Sequence, residues 1–432
     1  MTSPLRVGIV GLGTVGLSVL TVLQNNRTLI ASRSGREIEI RGISANNRLK
    51  DRGISLDKFN WYDDALSMSS VQDIDVMVEL VGGADGVAKD LTYSALSNGK
   101  HVVTANKALM AHHGNELACL AEEKNVCLAY EASVAGGIPI IKVLREGLAG
   151  NHIDKIVGIL NGTSNYILTA MEETGKSFDN ILSEAQDLGF AESDPSFDVD
   201  GIDAAHKLAI ISSLAFGIKI DFRNVFIEGI SCISPIDVQF ARTLGYGVKL
   251  LGIAERRSNG VQQRVHPCMV PQDSPINHVS GVFNGISIHG SPIGTTMYEG
   301  RGAGSGPTAS AVISDIIDIA RGTIVPAFGI SSKELIAVNS ISMTEYNGSY
   351  YVRLMVVDQP GVFASVANCL KVHKVSMESV LQRGRNPGEP VPVVMTVHDT
   401  NEKAMQNCLS EIAKLREVLE VPIMIRIENS SC

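Results

Sequence analysis

Cysteine pairs spaced for metal or disulfide chemistry are missing from this chain. Its seven cysteines (Cys119, Cys127, Cys232, Cys268, Cys369, Cys408 and Cys432) are odd in number, scattered, and contain no CxxC. That spacing excludes a zinc site and a disulfide framework and points to a reducing compartment. Positive charge is also short: 37 Lys and Arg stand against 46 Asp and Glu, a formal net charge of −9. Nucleic acid and anionic membranes, which need a basic footprint, are therefore not expected partners. No apolar run reaches membrane-spanning length, and "MTSPLRVGIVGLG" has no basic segment leading into an apolar one, so a cytoplasmic protein is expected. What is present is 432 residues, 44% hydrophobic and 19% charged, enough for two or three domains with real cores.

The first 131 residues read as a doubly wound dinucleotide-binding domain. "LRVGIVGLGTVGLSVLTVL" runs from a strand through Gly11, Gly13 and Gly16 into a helical apolar pattern. Gly11 permits the tight turn, Gly13 lets backbone approach a pyrophosphate, and Gly16 lets helix and strand pack closely. The amides opening the helix at Thr14 and Val15 then face the anion. Further βα-like units follow in "EIEIRGIS", "DIDVMVELVGG", "HVVTAN" and "NVCLAYEA". The second strand ends in "SANNRLK", which offers amides, Arg48 and Lys50 where an NAD-selective fold would place a carboxylate. A basic end suits a 2′-phosphate, which favours NADP over NAD. In "TANKALMA" a strand ends at Thr104 and Lys107 sits just beyond, at the carboxyl edge where such sheets bind ligands.

From residue 132 to about 320 the pattern changes to alternating strands with helices on one face, an α+β domain for catalysis and oligomer contacts. It is expected over 132–304, with the helix at about 305–325 returning to complete the first domain. Within it lies "GFAESDPSFDVDGIDAAHK", residues 189–207, where Glu192, Asp194, Asp198, Asp200 and Asp203 crowd ahead of one lysine, Lys207. Asp203 and Lys207 share a helical face at i, i+4. On a surface such a pair contributes roughly 0.3–0.5 kcal/mol. The flanking "LAIISSLAF" makes this helix a buried one, and there an unpaired charge costs on the order of 3–5 kcal/mol. Burial lowers a lysine's pKa and carboxylates raise it, so Lys207 is suited to giving and taking a proton on an oxygen.

The arrangement A-x3-G-F-A-x2-D-P-x2-D-V-x-G-x-D-x3-K, from Ala185 to Lys207, resembles the signature of the homoserine dehydrogenase family. "GIVGLGTVG", "TANKALMA", "YEASVAGGIPII", "LNGTSNYIL" and "GRGAGSGPTASAV" resemble that family's other blocks in order. The resemblance implies reversible reduction of L-aspartate 4-semialdehyde to L-homoserine with NADPH or NADH. It implies that Lys207 is the catalytic lysine, Asp203 its companion, and Lys107 a lysine near nicotinamide and substrate. Glu192 matches a residue that contacts the substrate's amino group, with Asp198 beside it in the acid loop. Gly302 and Gly304 match a second cofactor contact. Glu131, with the carbonyls of Val134, Gly136 and Ile138, matches a monovalent-cation site for Na or K, a chemically sensible hard oxygen cage.

After a connector at 326–348, residues 349–428 show a strand, a D-x-P-G turn, a helix, two strands, a helix from about Glu402 to Val418 and a last strand. This βαββαβ order is ferredoxin-like and resembles an ACT module, which implies a feedback site for an amino acid, L-threonine foremost. The strand content of the middle domain points to a homo-oligomer, dimer or tetramer. Two other readings stay open: a thiol-dependent phosphorylating semialdehyde dehydrogenase, and a non-catalytic amino-acid sensor on the same folds. The first needs a site cysteine, and none of the seven lies in a block that looks like one.

Overall fold

The computed structural model describes residues 3–382 and 388–428. Cys432 and residues 383–387 of the C-terminal segment lie outside the described residues. The N-terminal part alternates strand and helix: β1 (Leu5–Val10), α1 (Thr14–Asn25), α2 (Arg27–Ser34), β2 (Ile38–Ser44), β3 (Asn60–Trp61), β4 (Val76–Glu79), α3 (Val87–Ser97), β5 (His101–Thr104), α4 (Lys107–Glu123) and β6 (Leu128–Ala129). All six strands are parallel in the order β3-β2-β1-β4-β5-β6. The order reverses between β1 and β4, and the crevice beyond their carboxyl ends is where such sheets take ligands. Val7, Ile9, Val76, Val78 and Val103 are fully buried, as continuous β-branched runs covered on both faces must be.

The chain then leaves this sheet through α5 (Ile140–Lys142) and builds β7 (His152–Ile159), α6 (Gly162–Thr174), α7 (Phe178–Asp187), α8 (Ser196–Val199), α9 (Ile202–Phe216), β8 (Phe226–Ile227) and α10 (Pro235–Thr243). Two hairpins follow, β9 (Tyr246–Arg257) with β10 (Gly260–Pro271) and β11 (Phe283–Ser291) with β12 (Gly294–Arg301). These strands pair antiparallel in the order β12-β11-β7-β9-β10, and α9 packs against β7, β9 and β10. The alternation leaves Val261, Val265 and Met269 of β10 under the helices and turns Cys268 and Val270 to the other face. Next, α11 (Ser305–Ala320) returns to α1 and α2, and its Ala309, Val312 and Ile316 enter the core of the first sheet.

The C-terminal order is β13 (Asn347–Val357), α12 (Val362–Val372), β14 (Met377–Gln382), β15 (Pro390–Asn401), α13 (Glu402–Ile412) and β16 (Ile423–Ile427), the expected βαββαβ. Two details differ from the sequence reading. The last helix ends at Ile412 rather than near Val418, because the chain turns at Leu415 and Val418 to pair with Val356. The connector is a bonded strap: Ile336 pairs with Ile218, and Ser340 with Val261. Moreover, β16 runs parallel to β10 with Cys268 opposite Arg426 and Met269 opposite Ile427. One sheet of ten strands therefore spans both units, β12-β11-β7-β9-β10-β16-β13-β15-β14 with β8 beside β10. No helix among the described residues is long and apolar enough to cross a membrane.

Candidate active site

The glycine turn is built as the spacing implies. Gly11 has φ +95°, and a Cβ on it would stand 2.4 Å from the Leu80 carbonyl oxygen. A Cβ on Gly16 would stand 2.0 Å from the Gly11 carbonyl oxygen, so helix α1 meets its own turn in direct backbone contact. In front of Gly13 the space is open, and α1 begins there at Thr14 and Val15 with its first amides toward the crevice. A cavity of about 620 Å³ opens from this turn, lined among others by Gly11, Gly13, Ser44, Asn46, Lys50 and Arg52. Arg48 is exposed beside it, its guanidinium 5.8 Å from the Trp61 ring centroid.

Sequence reasoning passed over Arg52, which braces this wall: it donates to the carbonyls of Asn47 (2.6 Å) and Lys50 (2.9 Å) and lies 5.6 Å over Trp61. It stands just past Arg48 and Lys50, beyond the end of "SANNRLK". Thr104 does not face the cavity; its hydroxyl donates to Glu79 at 2.6 Å and accepts the Asn106 amide. Buried Glu79 in turn accepts the Val81 and Gly82 amides and fixes the loop after β4.

At the other end of the crevice α4, α8 and α9 converge. Asn106 caps α4 by accepting the Leu109 amide, which sets Lys107 at the first helical position. Gly201, at φ +84°, starts α9, and Asp203 falls in its first turn where the helix dipole favours an anion. Lys207, one turn on, donates to Asp203 Oδ2 at 2.8 Å and to the Leu160 carbonyl at 2.7 Å. Asp203 Oδ1 is paired with Lys107 Nζ, which also lies 5.2 Å over the Phe197 ring. One buried carboxylate thus bridges two ammonium groups. An ammonium has three N–H donors, and Lys207 uses two of them among the described residues.

Asn161 joins this group, another residue the sequence reading quoted without selecting. It caps α6 by accepting the Ser164 amide, and its Nδ2 donates to both Asp203 Oδ2 (2.8 Å) and Asp198 Oδ1 (2.7 Å). Asn284 donates to the same Leu160 carbonyl that Lys207 uses, at 3.0 Å. Gly302 packs on Asn284 so tightly that a Cβ would stand 2.1 Å from its amide, and Gly304, at φ +110°, leads into α11. Asp198 is thereby held beside Asp203 through Asn161, whereas Glu192 stays exposed at the loop surface, its backbone carbonyl bonded to Gln186.

Burial alone would raise the Asp203 pKa, yet the two lysines outweigh it and hold the carboxyl well below its usual range. Burial, and then Lys107, lower the Lys207 pKa against the pull of Asp203. Asp198 is shifted upward by its burial and by Asp203. A lysine shifted down toward neutrality, still ion-paired and with a donor to spare, is set up for proton transfer.

Glu131, buried, accepts the Ile141 and Lys142 amides at 2.9 Å each, capping α5. Burial and then Asp315 push its carboxyl up to about 7. Among the described residues the carbonyls of Val134 and Gly136 accept no hydrogen bond, while that of Ile138 accepts the Ile140 amide. No group of three or more His, Cys, Asp or Glu among the described residues forms a metal cluster. Burial pushes up the thiols of Cys127, Cys232, Cys268, Cys369 and Cys408, away from the thiolate form.

Comparison with known proteins decides the family. The model for homoserine dehydrogenase matches residues 139–317, and that for the homoserine dehydrogenase NAD-binding domain matches 11–131. Curated homoserine dehydrogenases of Neisseria gonorrhoeae and Pseudomonas aeruginosa are each 43% identical, over 99% of this chain and 99% of theirs. The chain belongs to the homoserine dehydrogenase family. Like its relatives it is an NAD(P)-dependent oxidoreductase. A crystal structure of a homoserine dehydrogenase from Thiobacillus denitrificans superposes with a TM-score of 0.93 at 42% identity, covering 99% of both chains. A hyperthermophilic archaeal homoserine dehydrogenase in complex with NADPH matches 74% of this chain and 99% of its own, with TM-score 0.64 and 27% identity.

Proposed function

We propose that this homoserine dehydrogenase interconverts L-aspartate 4-semialdehyde and L-homoserine, with Lys207 as the proton donor and acceptor. The observation that carries the reading is the spare N–H of Lys207, left over once Leu160 and Asp203 take the other two. In reduction, Lys207 gives that proton to the forming alkoxide; in oxidation, the neutral amine takes it from the hydroxyl. Asp203 fixes the Lys207 rotamer and keeps it charged, Lys107 presents a second positive group near the substrate oxygen, and Asp198 takes the substrate's ammonium group, with Glu192 reaching it only if the exposed loop closes inward. The nicotinamide, when bound, supplies or accepts the hydride at the carbonyl carbon. Gly11, Gly13, Thr14, Val15 and Gly16 hold the pyrophosphate, with Gly302 and Gly304 closing from the second domain.

NADP is the favoured coenzyme, on the support of Lys50 and Arg52 in the cavity wall and Arg48 near Trp61, with no carboxylate at the end of β2 itself; Asp63 and Asp64 line the same cavity further along the chain. Absorbance at 340 nm with homoserine and either coenzyme tests both readings. A homoserine-dependent rise, larger with NADP, is expected, and no rise with either coenzyme would leave the sensor reading standing. A monovalent cation is proposed at Glu131 with the carbonyls of Val134, Gly136 and Ile138. Replacing Na and K by a bulky organic cation should lower the thermal midpoint, and should not do so in Glu131→Gln.

The C-terminal unit is proposed as an ACT-like site for L-threonine near Asp358 to Gly361, where α12 opens. Inhibition requires threonine to prefer one arrangement of the units over another, with a coupling of roughly 1–3 kcal/mol. Threonine should inhibit the full chain, and Gly361→Val should relieve that inhibition with unchanged uninhibited turnover. The exposed edge strand β12, with Ile293 at its turn and Phe283 opposite, supports association of at least two copies, dimer or tetramer. A monomeric mass at micromolar concentration would contradict it.

A further inference from the structure

The last strand of the chain reaches the back of the acid loop. Arg426 on β16 is almost fully buried, and its guanidinium is divided between two carboxylates. Nη2 and Nε go to Glu402 at the start of α13 (2.5 and 3.1 Å), and Nη1 alone goes to Glu228 at 2.8 Å. Glu228 follows β8 and is held by its amide to the Val265 carbonyl of β10. Two residues before it, Phe226 packs against the core of the C-terminal unit, 5.1 Å beneath the Arg426 guanidinium.

On the other side the same segment carries α8. The Ile230 amide donates to the Val199 carbonyl at 2.9 Å. A Cβ on Gly229 would stand 2.5 Å from that oxygen and 2.7 Å from Asp200 Cα, so α8 rests on segment 228–230 backbone to backbone. Next to Val199 is Asp198, bonded to Asn161, which is bonded to Asp203. Packed backbone contacts of this kind pass on a displacement instead of absorbing it in a rotamer.

We infer that Arg426 and Glu228 are positioning residues of the dehydrogenase site: the C-terminal strand holds segment 226–230, and through it sets where Asp198 and Asn161 stand against Asp203 and Lys207. The inference rests on the assignment of Lys207 and Asp203 made above. It makes the C-terminal unit part of the catalytic scaffold whether or not it binds an effector.

Glu228 gives the clean test. Its side chain is one-third exposed, and Arg426 keeps Glu402 when it is removed, so no buried charge is left unpaired. In the full-length protein, Glu228→Ala should lower kcat/KM for homoserine roughly ten- to a hundredfold, the range for an active-site group displaced by up to about 1 Å. Dissociation of NADPH, read by its fluorescence, and the thermal midpoint should stay at the wild-type values. Glu228→Gln, whose amide oxygen still accepts from Arg426, should restore most of kcat/KM. Gly229→Ala, which pushes on Val199 directly, should lose at least as much as Glu228→Ala. The inference is overturned if Glu228→Ala keeps wild-type kcat/KM, or if its loss is matched by weaker NADPH binding and a lower midpoint. If Lys207→Ala itself turned over normally, the site assignment would fall instead, whatever Glu228 did.

Discussion

Lys207 is pulled down by burial and by Lys107 and pulled up by Asp203, so its two neighbours should shift its titration in opposite directions. Oxidation of homoserine needs the neutral amine, so kcat/KM in that direction should rise with pH through a break below the ordinary lysine value of 10.5. Lys107→Met removes a like charge and should move that break to higher pH; Asp203→Asn removes the opposite charge and should move it lower. Shifts of the reverse sign in pH–rate profiles would refute the assignment. His206 supplies a separate signature, in stability. Its ring is buried against Phe222 at 4.2 Å, and among the described residues neither nitrogen has a partner. Burial, and then His112, lower its pKa from 6.5 to about 4. Between those values the unfolded chain binds a proton that the folded chain refuses, so stability should fall as pH drops from 6.5 toward 4. In urea unfolding at pH 7 and pH 4.5, His206→Gln should lose less stability than the wild type; an equal loss would count against it.

Helix α6 begins at Asn161, and that one side chain both caps the helix and ties Asp198 to Asp203. Asn161→Ala should therefore cost roughly 0.5–2 kcal/mol of stability as a lost cap and also lower kcat, whereas Asn161→Asp would keep the cap and still slow turnover by adding a third carboxylate. Equal kcat in both variants and the wild type would reduce Asn161 to a cap. Elements of this kind divide what the sequence discloses from what it does not. The glycine turn, the buried α9 with its Asp203–Lys207 spacing and the βαββαβ order were legible, because each is a local pattern whose period and turn chemistry lie within some twenty residues. Asn161 reaches Asp203 across 42 positions, and Arg52 reaches Leu12 across 40. Neither leaves a local pattern. Lys107 was legible as a residue at a strand's carboxyl edge, but its pairing with Asp203 appears only once two domains close on each other.

Across the whole chain, the ten-stranded sheet makes the C-terminal unit hard to remove. Ending the chain near Ser340 would strip β16 from β10 and take Glu428 from Lys155 and from Arg264, which keeps Glu255 at 3.6 Å. It would also take Tyr351, Val394, Ile425 and Ile427 out of the main apolar core, and full burial of such a side chain contributes about 1.5–3 kcal/mol, against a typical total stability of about 5–15 kcal/mol. Such a fragment should aggregate or unfold far below the full chain in a thermal melt; a soluble fragment with full activity would show the two units to be independent. For the same reason threonine control is better tested by a point change in α12 than by truncation. Proton transfer through Lys207, coupled to hydride transfer between nicotinamide and substrate, shows itself in a single turnover. With enzyme and NADPH in excess over L-aspartate 4-semialdehyde, the decay at 340 nm in Lys207→Ala should be slower than in the wild type by roughly 10²–10⁴-fold, with NADPH bound equally tightly. A decay at the wild-type rate would contradict it.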